Sequence, residues 1–144
     1  MKKYIYGAYG SNLNHDQMFK RCPKARFLGT GLLKDHQLIF RGVADMEYRQ
    51  GSNIAIGLWE ITEDCLESLD RYEGFPYLYE RTILNVVKPN RKIVRAIVYY
   101  MLRDNYEPPS ESYLLSIKEG YEHCGIPVDR LINAVEQMGE VYYG

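Results

Sequence analysis

Two periodicities run along this chain, and the switches between them mark out its elements. Lys3 to Tyr9 reads as a first strand. Asn12 or Asn14 is placed to cap a short helix through Met18 and Phe19, stopped by Cys22-Pro23. Ala25 to Leu33 and Gln37 to Arg41 look like a strand pair. Gly42 to Asn53 turns polar and irregular, as a loop or ragged hairpin does. Ile54 to Ile61 is a strongly apolar strand interrupted by Gly57. Thr62-Glu63-Asp64 then reads as a cap with acids in the first helical turn, where the helix dipole favours them. Cys65, Leu66 and Leu69 form the buried face of that helix, which ends near Tyr72 before Gly74 and Pro76. Tyr79 to Val87 and Ile93 to Met101 are two further strands. Ser110 opens a helix with Tyr113, Leu114, Ile117 and Tyr121 on one side. After Gly125 and Pro127, a last helix carries Val128, Leu131, Ile132, Val135 and Met138 on one stripe.

Strands, one helix, more strands and two closing helices do not alternate as a doubly wound parallel sheet would. The order predicts an α+β fold: a small mixed, largely antiparallel β-barrel with flanking helices. With 144 residues and no linker or repeat, residues 1–144 read as one domain.

Charge narrows the partners. Eighteen basic residues face nineteen acidic ones without long blocks of either sign, so neither nucleic acid nor an anionic membrane is an expected partner. No signal-peptide core or membrane-length apolar segment stands out. Cys22, Cys65 and Cys124 are odd in number and lack a C-x-x-C pair. They argue against a disulfide framework and a zinc site, and for a reduced cytoplasmic protein. His15, His36 and His123 are scattered singly, and no metal is expected. Fourteen tyrosines require buried hydroxyls with partners, a pocket with polar-tipped aromatic walls, or both.

Two stretches carry candidate chemistry. Tyr9-Gly10-Ser11-Asn12-Leu13 lies between a strand and a helix, where successive N–H groups can converge on an anion or oxyanion. The same residues are ordinary turn formers, so a plain turn stays open. Glu73 stands at the C-terminal edge of its helix, the wrong end of the dipole for a carboxylate, with Tyr72 and Phe75 as apolar walls. Burial and dipole both push its pKa upward, toward the range of a base working near neutral pH. Most glutamates are simply solvated, and the local sequence alone does not decide between the two.

Three separated segments, Tyr6 to Leu13, Leu69 to Gly74 with Tyr79-Glu80-Arg81, and Asn105 to Tyr113, resemble the gamma-glutamylcyclotransferases and their avirulence-induced-gene-like relatives in content and order. The resemblance spans nearly the whole chain. Gly7 departs from it, because many relatives carry an aromatic residue there. The resemblance implies a small mixed barrel with no metal and no organic cofactor. It implies a small-molecule gamma-glutamyl substrate, whose α-amino group attacks its own side-chain carbonyl to give 5-oxoproline and a released amine. Glu73 would be the catalytic acid/base, with Tyr6, Gly7, Ala8, Tyr9, Gly10, Ser11, Asn12 and Tyr113 binding substrate. A homodimer is left open as a partner state.

Rival chemistries are less well served. Cys65 sits on a helix face that reads as core. Ser11 lacks the second glycine of a nucleophile elbow. Arg81 is expected to pair with Glu80 or Asp70 for structural reasons. A non-catalytic binding module and an amide hydrolase on the same pocket stay open as alternatives. The polar 42–53 stretch, with Met46, Tyr48 and Arg49, is the expected place for leaving-group specificity.

Overall fold

A computed structural model describes residues 2–143, with side chains through residue 139. The elements are β1 (Lys3–Ala8), a 3-10 turn (Ser11–Leu13), α1 (His15–Arg21), β2 (Arg26–Phe40), β3 (Ala44–Thr62), α2 (Glu63–Glu73), β4 (Tyr79–Val87), β5 (Ile93–Met101), α3 (Glu111–Cys124) and α4 (Asp129–Tyr143). The strands close a barrel in the order β1-β3-β2-β4-β5. All pairings are antiparallel except β1 with β5, which meet in parallel at Tyr6 and Ile97. The expected mixed barrel with flanking helices is what forms.

Local chemistry accounts for the helix ends. The Asn14 side chain accepts from Gln17 N–H at the start of α1, and Thr62 Oγ1 accepts from Cys65 N–H at the start of α2. Ser110 Oγ accepts from Tyr113 N–H at the start of α3. Each satisfies one donor that the first helical turn leaves over. Gly74 ends α2 in the left-handed conformation (φ 71°), where its N–H reaches the carbonyls of Asp70 and Arg71.

Residues Ile54 to Trp59 are buried throughout, because one face of β3 looks into the barrel and the other is covered by the helical layer. Trp59 packs edge-on against His15, Phe19 and Phe27 on the α1 side. A Cβ placed on Gly7 would meet Ile56, Val98 and Ala96 at 3.1–3.4 Å. This barrel interior is therefore already filled where the resemblance leads one to expect an aromatic ring. Gly120 lets α3 lie directly on the turn after β1: a Cβ there would sit 2.6 Å from Asn14 N and 2.7 Å from Leu13 C.

Three expectations are corrected and one alternative is decided. The segment 25–41 is one strand rather than two, with a register shift between Lys34 and His36 where Asp35 takes φ 60°. Of the two readings of the 42–53 stretch, the hairpin is the one that forms: residues 44–53 are the first half of β3, pairing Glu47 with Gln37 and Asn53 with Lys34. It lacks alternation because the far end of this hairpin is largely exposed. In α4, Ile132 is 48% exposed, and Ala134 stands in the core instead. Finally, Cys22 and Cys65 form a disulfide 43 residues apart in sequence, leaving Cys124 free. The packing of the end of α1 on the start of α2 brings them together, which spacing in sequence does not reveal. The cysteine argument for a reducing compartment falls with it.

Candidate active site

The turn after β1 is built by its own backbone: Leu13 N–H donates to Gly10 O at 3.0 Å and Asn14 N–H to Ser11 O at 3.1 Å. Asn12 is only 3% exposed, and its side chain is fixed at both ends. Its Nδ2 donates to the Tyr6 hydroxyl at 3.0 Å, and its Oδ1 accepts from Arg21 Nη1. Arg21 Nη1 also donates to Ser11 Oγ at 3.2 Å, and the guanidinium carbon lies 3.5 Å from the Tyr72 ring centroid. This end of α1 thereby ties the turn to the end of α2.

A second chain of bonds sets the opposite wall. The Tyr9 hydroxyl donates to Tyr99 O at 2.6 Å, and the Tyr99 hydroxyl donates to Asp70 Oδ1, also at 2.6 Å. Arg81 pairs with the other Asp70 oxygen, as the sequence leads one to expect. Tyr113 projects from the first turn of α3, and its hydroxyl accepts from Ala44 N–H at 3.0 Å. The approach to α3 is anchored where Gly42 N–H donates to Glu107 O and Glu107 N–H donates to Phe40 O. Arg41 adds a bond to Asn105 O while pairing at 2.7 Å with Asp45, whose other oxygen accepts from Met101 N–H. That buried ion pair is thus supported by a further hydrogen bond on each side, as burial demands.

These groups surround a cavity of about 240 Å³, smaller than the pockets of drug-sized ligands. Glu73 looks into it from the end of α2, beside Tyr72, Leu78 and Tyr79. Burial pushes the Glu73 carboxyl up from its ordinary 4.5 to about 7, against the opposing pull of the Arg21 charge. Among the described residues no hydrogen bond is donated to this carboxylate, which leaves it available to a ligand. Burial drives the phenols of Tyr6, Tyr9 and Tyr79 well above their ordinary value, with the Glu73 charge adding to the effect. Burial likewise raises Tyr113 to about 12. All four remain protonated near neutral pH. Among the described residues no group of three His, Cys, Asp or Glu side chains is placed to hold a metal ion. No helix among them is long and apolar enough to cross a membrane.

The sequence-derived candidates converge, with exceptions. Tyr6, Gly7, Tyr9, Gly10, Ser11, Asn12, Tyr113 and Glu73 all border the cavity. Ala8 does not: it is 1% exposed within the core. Phe75 is not a wall either, since it stacks under Arg81 at 4.4 Å while Tyr79 and Leu78 take that place. Met46 and Tyr48 lie by a separate groove, whereas Val43 and Ala44 reach the cavity. Arg49 points elsewhere, donating to Gln37. Sequence reasoning missed Arg21, Tyr79 and Tyr99; in the 42–53 stretch it named Met46, Tyr48 and Arg49, whereas Val43 and Ala44 are the residues that reach the cavity. The unusual tyrosine content was the one available hint, and it names no positions.

The closed five-stranded barrel thus carries, beside its first turn, a small tyrosine-walled cavity that a half-buried carboxylate faces. The chain belongs to the AIG2-like family, whose model matches residues 54–131, more than half its length. It is 27% identical to the gamma-glutamylcyclotransferase of Bos taurus over 150 residues, covering 94% of this chain and 80% of the relative. It is 27% identical to that of Homo sapiens over 141 residues, covering 89% and 75%. A solved structure of a gamma-glutamyl cyclotransferase superposes with a TM-score of 0.81 at 27% identity, covering 89% of this chain and 83% of that one.

Proposed function

We propose that the protein is a gamma-glutamylcyclotransferase, converting a gamma-glutamyl amine, amino acid or peptide to 5-oxoproline and the released amine. The observation that carries this reading is Glu73. A carboxyl with a pKa near 7, and with no donor among the described residues, shares a small cavity with the Tyr9–Asn12 turn. The relatives named gamma-glutamylcyclotransferase support the same reading.

The reaction needs no nucleophile from the protein. Glu73 takes a proton from the substrate α-ammonium, and the freed amine attacks the side-chain carbonyl carbon. The carbonyl π electrons move onto oxygen, forming a tetrahedral oxyanion. N–H groups of the turn steady that charge, a role in which one donor is worth about 3 kcal/mol. The oxyanion collapses, the bond from carbon to the leaving nitrogen breaks, and protonated Glu73 returns its proton to the departing amine. The regenerated carboxylate then takes the second proton from the ring nitrogen, which leaves the neutral lactam, and passes it to the released amine, which departs as an ammonium. A base with a pKa near 7 suits both halves, because it gives up the proton as readily as it takes it. Tyr6, Tyr9 and Tyr113 hold the glutamyl chain folded, and pairing two reactive groups of one molecule lowers the barrier by several kcal/mol.

The test is incubation of the full chain with a panel of gamma-glutamyl amines, amino acids and peptides, with 5-oxoproline and glutamate both quantified. Production of 5-oxoproline, lost in Glu73→Gln with the fold intact, is the expected result. Release of glutamate would identify an amide hydrolase instead. Binding of panel members without turnover would identify a binding module.

A further inference from the structure

We propose that Arg21 is a positioning residue of this site, holding the Ser11–Asn12 turn and the Tyr72 wall as one unit beside Glu73. The proposal rests on the cyclotransferase reading only for its kinetic readouts. Arg21 does not itself border the cavity, so it acts through the groups it grips.

Three contacts are made by one planar group. Nη1 serves both Ser11 Oγ and Asn12 Oδ1, while the guanidinium face lies on Tyr72. A guanidinium has donors only, so it forces the acceptor oxygen of Asn12 toward itself and turns Nδ2 toward Tyr6. The orientation of Asn12, and with it the Tyr6 hydroxyl, is set by Arg21. The backbone of Arg21 is in turn held on α2: Ser68 Oγ donates to Arg21 O at 3.1 Å, and Cys22 next to it is bonded to Cys65. Turn, first helix and the helix carrying the carboxylate therefore share one joint.

The same residue supplies the positive charge that opposes burial at Glu73. The other groups facing Glu73 are Tyr6 on β1, Tyr9 after it, Tyr79 on β4 and Tyr113 on α3, all neutral phenols near pH 7. Tyr72 flanks it on its own helix. The neighbouring carboxylates Asp45 and Asp70 are already paired with Arg41 and Arg81. Lysine would keep the charge at position 21 but lacks the flat fork and the stacking face.

Arg21→Gln and Arg21→Lys, each checked for fold by circular dichroism and compared with the wild-type chain, separate the two roles. In Arg21→Gln, KM rises about tenfold, as loss of a charge-assisted hydrogen bond implies, and the acid limb of the kcat/KM profile moves to higher pH. In Arg21→Lys the limb stays near the wild-type position while KM still rises. An unmoved limb in the glutamine variant, or a wild-type KM in the lysine variant, overturns the proposal. If the glutamine variant does not fold, the lysine variant decides on KM alone. If the wild-type protein turns over no panel member, the cyclotransferase reading fails, and the side-chain amide resonances of Asn12 become the readout, since Arg21 and Tyr6 fix that group. Resonances displaced in Arg21→Lys, which keeps the charge, then support the positioning role, and unchanged resonances refute it.

Discussion

Replacing Glu73 by glutamine should abolish turnover and yet stabilise the protein in alkaline solution. In the unfolded chain this carboxyl ionises around its ordinary 4.5, whereas burial in the folded protein holds the proton until about 7. Between those values the folded state binds more protons than the unfolded one, so stability falls as pH rises through that window. Below 4.5 both states are protonated and the penalty is absent. Above 7 both are ionised and the penalty is complete. At about 1.4 kcal/mol per pH unit, the gap corresponds to about 3 kcal/mol, an upper figure because Glu73 is only partly buried and solvent screens what remains. Glutamine keeps the shape without the charge and escapes the penalty. Urea denaturation of both proteins at pH 4 and pH 8.5 measures it, and every other titrating group cancels in the difference. The glutamine variant should gain up to about 3 kcal/mol on the wild type between the two pH values. A difference that stays constant within about 0.5 kcal/mol, the ordinary scatter of surface substitutions, would refute the assigned burial of this base.

Further outcomes follow from the packing. Gly120→Ala gains about 1 kcal/mol of helix propensity, but its methyl group meets backbone at 2.6 Å, where nothing flexible can yield. Overpacking wins, with a net loss of at least about 1 kcal/mol by denaturant midpoint and a raised KM as α3 moves Tyr113. Breaking the Cys22–Cys65 bridge, by reductant or by Cys22→Ala with Cys65→Ala, releases a 43-residue loop. Chain entropy puts that loss at about 4 kcal/mol, and an unaltered midpoint on reduction would contradict the bridge. Tyr113→Phe removes the acceptor for Ala44 N–H, costing about 1–2 kcal/mol of stability. The same change raises KM, and an unchanged KM would remove Tyr113 from the substrate wall.

The sequence displayed those parts of the molecule whose determinants are local. Thr62 and Ser110 are capping residues in full view, and Gly74 and Gly125 are stop signals, so the helix limits were legible. The two strands 79–87 and 93–101 form where they were expected because each is bounded by turn residues. At 44–53 the sequence did not separate a loop from a ragged hairpin, since exposed pairing leaves no hydrophobic period behind. The disulfide and the Arg21 joint were hidden for another reason. Both depend on α1 docking against α2, a tertiary event that the spacing of Cys22 and Cys65 does not encode. Glu73 drew notice because it sits against its helix dipole, but the local sequence left a solvated side chain equally open; its place on the cavity became visible only once the fold brought the end of α2 to the turn after β1.

The barrel wall is uneven. β1, β3 and β2 form one ribbon and β4 with β5 another, each laced along its length, while the ribbons touch through Tyr6 with Ile97 and through Leu32 with Val87. Tyr6 and Gly7 at the cavity belong to the first ribbon, and Tyr79 and Tyr99 to the second. A guest in the cavity consequently acts as a clasp between two leaves. Amide protons along the Tyr6–Ile97 seam should exchange with solvent early in the empty protein and slow together once the cavity is filled.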